Sequence, residues 1–184
     1  MPLKSSLCYS VALATVATAT LAPVASAATF NFSYTSSAGT ITATVDGTLQ
    51  PDNNRVFVSS ISNTTFNGSP APALPLIGSY LNSILAGGVV VTGQAVLSLD
   101  GAGLDFVACN TTNCIDGFGF LPPNAIVGNT TDLFASGSAY GSTLPELFVL
   151  ANYSLTTVPE PATVLGLLSV AGVGLLCKGR KLEK

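Results

Sequence analysis

The sequence predicts an all-β domain, an antiparallel β-sandwich, held between two apolar ends. Three observations carry this expectation. Apolar and polar side chains alternate with a period of two through the first strands of the middle region. Turn residues, Gly with Asn or Asp, recur at intervals of about eight to twelve residues, the spacing of sandwich strands. The middle is rich in Ser, Thr, Asn and Gly, so the 48% apolar content comes disproportionately from the two termini. Jelly-roll-like connectivity is one arrangement this pattern allows.

The elements follow in order. Phe30, Phe32 and Tyr34 alternate with Asn31 and Ser33, as in a half-buried strand. Gly39 opens a second run, in which Ile41, Ala43 and Val45 alternate with Thr42, Thr44 and Asp46. A third extends from Arg55 to Ile61, with Val56, Val58 and Ser60 opposed by Phe57, Ser59 and Ile61. After the Pro-rich stretch 70–75, Leu76 to Leu85 reads as a short helix or a loop. Gly88 to Leu99 reads as a strand, Asp100-Gly101-Ala102-Gly103 as a turn, and Leu104 to Ala108 as the returning hairpin partner. Ile115 to Leu121 and Leu147 to Thr156 complete the set, the last leading straight into the C-terminal tail. Asp-Gly pairs at 46–47, 100–101 and 116–117 recur, but their surroundings do not align into a repeat.

At the N-terminus, Lys4 precedes an apolar run from Leu7 to Leu21, Pro23 breaks it, and Ala25-Ser26-Ala27 supplies a small-x-small cleavage signal. This predicts a signal peptide over 1–27, cleaved between Ala27 and Ala28 by signal peptidase of the general export machinery. An N-terminal membrane anchor is the competing reading, and the run is short and Ala/Thr-rich for that.

At the C-terminus, Val158-Pro159-Glu160-Pro161 precedes an apolar segment of 16 residues, Ala162 to Cys177, and a basic end, 178–184. As a helix the segment is ~24 Å long, slightly short of the hydrocarbon core. The cations after it place the C-terminus in the cytoplasm and the domain outside. Gly166, Gly172 and Gly174 weaken the helix, which suits a transient anchor. In order and position these residues resemble the PEP-CTERM sorting signal. The resemblance implies recognition of Pro159, Glu160 and Pro161 by exosortase, a membrane-embedded cysteine protease that cleaves near the motif and passes the protein to the cell surface. Two prolines hold an extended backbone that suits a protease cleft. Gly179 and Glu183 interrupt the basic end, a lighter version of the family pattern. The resemblance covers only this tail. An ordinary single-pass anchored protein is the alternative. The chain thus divides into 1–27, a domain over 28–157, and a tail over 158–184.

Within 28–157, Arg55 is the sole cation against seven carboxylates, which excludes nucleic acid as a partner because nothing neutralises phosphates. Cys8 and Cys177 belong to the ends, leaving Cys109 and Cys114 as an even pair in an exported domain, read as a local disulfide. Closing so short a loop contributes about 2 kcal/mol. With no His and no second Cys pair, zinc is a poor alternative, and redox pairs sit closer, as Cys-x-x-Cys.

The absence of His also excludes His-dependent triads and metal hydrolases. A carboxylate pair for glycoside hydrolysis would come from Asp100, Asp105, Asp116 and Glu146. Each has a plainer role: Asp100 and Asp116 precede Gly in turns, and Asp105 falls on a strand face. Asp52-Asn53-Asn54 and Asp100 to Asp105 offer oxygen ligands for calcium without matching a calcium-loop pattern. Asn-x-Ser/Thr sequons at Asn31, Asn63, Asn67, Asn110, Asn129 and Asn152 match what composition alone gives. The expectation is a non-enzymatic cell-surface or extracellular-matrix protein with a structural role and no cofactor or metal. A carbohydrate-binding module, meeting extracellular polysaccharide through exposed Tyr80, Tyr140 or Tyr153, is the alternative.

Overall fold

A computed structural model of the chain describes residues 26–122, 132–136, 138–141 and 143–159. Eleven strands are present among them. β1 (Ser26–Thr35), β2 (Thr40–Leu49) and β3 (Arg55–Phe66) form a meander, followed by the short β4 (Ser69–Pro70). Then come β5 (Leu76–Gly78), helix α1 (Tyr80–Leu85), β6 (Val96–Ser98), β7 (Phe106–Cys109) and β8 (Gly117–Leu121). β9 (Asp132–Ser136), β10 (Thr143–Leu147) and β11 (Tyr153–Thr157) close the domain, with short 3₁₀ turns at Ser138–Tyr140 and Leu150–Asn152.

The strands form two antiparallel sheets. The first has the order β11-β1-β2-β3-β4, with β6 also on β3; the second runs β10-β9-β8-β7-β5. Consecutive strands are mostly neighbours within one sheet, so the connectivity is that of two meanders. A jelly roll would alternate strands between its sheets.

Alternation explains which face each strand buries. Phe30, Phe32 and Tyr34 of β1 and Ile41, Ala43 and Val45 of β2 are all buried, in one cluster with Phe106, Ala108, Phe118 and Phe120 of the second sheet. The rings interlock across the layers: Phe32 stacks on Phe118 at 5.4 Å, and Tyr34 meets Phe120 edge-on at 5.3 Å. Such geometry satisfies the ring quadrupoles in addition to removing apolar area from water.

β3 departs from simple alternation. Val56 and Val58 are buried as expected, but Ser60 is exposed and Ile61 turns toward the core. The register explains the switch: Gly47 pairs with Val58 and Asp46 with Ser60, leaving Ser59 as an extra residue. A bulge of this kind inverts the faces beyond it. A second irregularity at Asn63 (φ 49°) restores the parity, so that Thr64 is buried.

Two expectations are corrected in the middle of the chain. Only Val96–Ser98 of the stretch from Gly88 to Leu99 forms a named strand, with bridge positions at Thr92 and Gly93. Gly88, Gly93 and Gln94 all take positive φ, which an extended run cannot accommodate. Nor do residues 104–108 return as a hairpin on that strand. The chain crosses between sheets there, keeping only the Val96–Asp105 bridge, and β7 pairs with β5 and β8.

The region from Leu76 to Leu85 resolves into β5 and α1. The helix covers the outer side of the second sheet, where Val90, Val107 and Cys109 form a smaller cluster with Leu76, Tyr80 and Cys114. Among the described residues no helix is long and apolar enough to cross a membrane. Residues 1–25 and 160–184, which hold most of the expected signal peptide and the spanning run, lie outside the described residues, as does the sequon at Asn129.

Candidate functional site

The C-terminal tail leaves the domain from an edge of the first sheet. β11 pairs with β1 from Tyr34↔Tyr153 to Phe30↔Thr157, and the Val158 amide adds one more bond, donating to the Thr29 carbonyl at 2.8 Å. Pro159 follows with no N–H to donate and is exposed. The ladder therefore ends where the Pro-Glu-Pro motif begins. Glu160 and Pro161 lie outside the described residues.

Because β1 and β11 are antiparallel, the start of the first strand lies beside the end of the last. Ala27, Ala28 and Thr29 share an open cleft of about 330 Å³ with Asp46, Val158 and Pro159. Ala27 is exposed and Ala28 half-buried, and both continue the β1–β2 ladder, opposite Thr48 and Gly47. The structure thus brings together the two positions that the sequence marks for processing. No periodicity in the sequence announces this, since it depends on which strand becomes the neighbour of β1. Nothing in the sequence marks Asp46 as a site residue either. Its carboxylate accepts from Thr29 Oγ1 and Ser60 Oγ, each at 2.8 Å, and so ties β1, β2 and β3 together on the outer face.

Cys109 and Cys114 are bonded, with Cα atoms 4.9 Å apart. The loop they close is sealed at its base by Asn110 and Asp116. The Asn110 amide donates to the Asp116 carbonyl at 2.9 Å, and Asn110 Nδ2 donates to Asp116 Oδ2 at 3.0 Å. The Asp116 amide donates back to Asn110 Oδ1 at 3.0 Å. Cys109 is fully buried, whereas Cys114 is half-buried and lines an open pocket beside Tyr80 and Asn113.

The candidate carboxylates are engaged in local structure. Asp105 does not present itself on a strand face: it accepts from Ser79 Oγ at 2.6 Å and from the Leu81 amide at 3.0 Å, which anchors the start of α1. The helix begins there for a readable reason, because Ser79 also caps the Asn82 amide. Glu146 is held by the Ser37 amide and hydroxyl. The Ala102 amide, followed by the Asn54 side chain, lowers the Asp100 carboxyl from its ordinary value.

The structure does bring together two loops considered for calcium. The Leu99 amide donates to the Asn54 carbonyl and the Asp100 amide to Asn54 Oδ1, stitching the turn at 51–54 to the turn at 100–103. The Asp52 oxygens are already taken, by the Arg55 and Asn54 amides at 2.9 and 3.0 Å and by Arg55 Nε at 2.5 Å. Among the described residues no group of three or more His, Cys, Asp or Glu side chains is placed to hold a metal ion.

The tyrosines expected on the surface turn inward. Tyr140 is fully buried and donates to the Pro72 carbonyl. Tyr153 reaches the Ser98 carbonyl at 2.7 Å, and Tyr80 is half-buried against the outer cluster.

No curated protein and no solved structure matches the chain. Comparison with protein families matches residues 157–181 to the PEP-CTERM protein-sorting motif. The match starts at the last residue of β11 and spans Pro159, Glu160, Pro161, the apolar segment and the first basic residues. The chain carries a PEP-CTERM protein-sorting motif, joined directly to the last strand of an all-β domain.

Proposed function

We propose that this chain is an exported, non-enzymatic structural protein of the cell surface or extracellular matrix. In this reading residues 1–27 direct export, and the tail holds the folded domain at the membrane until an exosortase acts at the Pro-Glu-Pro motif. The observation that carries it is the junction at Thr157 to Pro159. The sorting motif begins where the last ladder bond ends, so the domain is cargo attached without a linker. The sandwich as a whole supports the role of a stable, disulfide-closed unit suited to an oxidising exterior.

A structural role also fits the outer face of the first sheet. Asn31, Ser33, Thr42, Thr44, Ser154 and Thr156 line a shallow depression of about 340 Å³. Their uncharged hydroxyls and amides can meet neutral polysaccharide or water equally well, without the aromatic stacking a dedicated sugar site uses. Asp46, Asp52, Asp100, Asp105, Asp116 and Glu146 serve caps, turns and strand ties, which supports the non-enzymatic reading.

Replacing Pro159, Glu160 and Pro161 by Ala in the producing cell tests the sorting role. The expected result is full-length tail retained in the membrane fraction. Unchanged tail removal in that variant would contradict the proposal.

A further inference from the structure

We infer that β11 is a docking edge for a second copy of this chain, and that two domains join their first sheets through an antiparallel β11–β11 pair about a two-fold axis at Thr156. Such pairing is independent of the sorting reading.

The other sheet edges are shortened, interrupted or covered. β4 has two residues and ends on Pro70. β6 has three, and Val96 exchanges backbone hydrogen bonds with Asp105 at 2.8 and 3.0 Å. β5 is equally short, and the Gly93 amide donates to its Ile77 carbonyl at 2.9 Å. β10 contains Pro145, and its register on β9 shifts between Thr143 and Glu146. Sheets blunt their edges in these ways because a regular edge templates a further strand. β11 has none of these devices. Its residues, Tyr153 to Thr157, keep unbroken register on β1 and include no charge and no proline.

The bonding pattern fixes which backbone groups β11 offers. The Val158 amide donates to the Thr29 carbonyl, so Ser154, Thr156 and Val158 turn their backbone groups toward β1. Those of Leu155 and Thr157 point the other way, and no strand among the described residues pairs with them there. The Tyr153 amide also points outward but is engaged by the Leu150 carbonyl. Pro159 has no amide to give.

An antiparallel partner with its Thr157 opposite Leu155 meets this pattern. Leu155 and Thr157 of the two copies exchange backbone bonds in both directions. Pro159 falls opposite Tyr153 of the second copy, so no amide is left wanting on either side. On the outer face, Thr156 meets Thr156 of the second copy. The domain already closes such contacts between paired residues of its first sheet, Thr35 with Thr40 at 3.0 Å and Thr42 with Thr65 at 2.7 Å. Ser154 and Thr156 are exposed hydroxyls, so the edge suits an uncharged, hydroxyl-bearing strand. A second β11 is such a strand, and no like charges meet across the axis. The pair is isologous and uses up both β11 edges, so assembly through them closes at a dimer.

Cross-linking of the full-length chain in detergent micelles, with Cys8→Ser and Cys177→Ser, tests the register. Thr156→Cys places two thiols at the axis, with Cα atoms about 4.5 Å apart, and should give a disulfide-linked dimer on mild oxidation. Ser154→Cys places them roughly 13 Å apart along the strands and should not. Sedimentation adds a second arm. Thr156→Lys and Thr156→Glu chains should each dimerise at least about threefold more weakly than the unaltered chain, and an equimolar mixture of the two should recover the dimer. Equal cross-linking of both cysteine variants, or of neither, would overturn the proposal. So would a mixture that dimerises no better than its components.

Discussion

At Asp52, two backbone amides and a guanidinium meet one exposed carboxylate. The Arg55 amide, then the Arg55 side chain, then the Asn54 amide lower its carboxyl from 3.8 to about 2. A carboxyl depressed by folding contributes stability above its unfolded value, and that contribution is lost as the pH falls through about 2. Titration by carboxyl NMR shifts should give a midpoint near 2, and Arg55→Gln should move it toward 3.8. A midpoint near 4 in the unaltered domain would contradict the geometry. The tyrosines give the opposite sign. Burial, in each case the leading cause, raises the phenols of Tyr34, Tyr140 and Tyr153 above 10.0. The folded state favours their neutral form, so this contribution is present below pH 10.0 and lost as the pH rises through the folded values. Tyrosinate absorbance from these three should appear together with loss of the β circular-dichroism signal. Their reversible ionisation in an intact fold would contradict their placement. The sequence shows a tyrosine's two ends, one apolar and one polar, but not whether the hydroxyl finds water or a carbonyl. For Tyr140 and Tyr153 it finds Pro72 and Ser98.

Among the elements, legibility followed how uniform the local pattern is. β1 and β2 are readable because every second side chain faces one core without interruption. β3 is readable only to Val58, because one unpaired residue, Ser59, inverts the faces, and nothing in the residue types marks the bulge. The run from Gly88 to Leu99 has strand-like composition, but its positive-φ residues break it, and the backbone serves instead to cover Gly78 and α1. β9 and β10 carry no strand signal in the sequence: they lie in a Ser/Gly/Thr-rich region whose pairing with β8 and with each other comes from the sheet. β8 makes the packing constraint explicit. Its Gly119 sits where a Cβ would approach the Phe106 carbonyl to 2.6 Å, and that neighbour is backbone. Gly119→Ala should therefore lower unfolding free energy by about 2 kcal/mol, the scale of forced overpacking, as measured by urea denaturation. A change within a few tenths of a kcal/mol would show that β7 and β8 can move apart.

For the molecule as a whole, the two sheets matter chiefly for where they place the ends. The tail was legible as a signal because its information is linear: a proline-flanked carboxylate, an apolar run and cations in that order. The adjacency of Ala27–Ala28 to Val158–Pro159 was not, because it arises from β11 joining the sheet beside β1. That arrangement sets Ala27 and Ala28 beside Val158 and Pro159 at one end of the first sheet, with Pro159 exposed. Export followed by release from the tail at the motif fixes both ends of the mature chain. Intact-mass and terminal-peptide analysis of the protein recovered from the cell surface tests it most directly. The expected species is a chain beginning at Ala28 and ending within a few residues of Pro161, with 162–184 removed. Surface protein that retains the apolar segment and the basic end would contradict it.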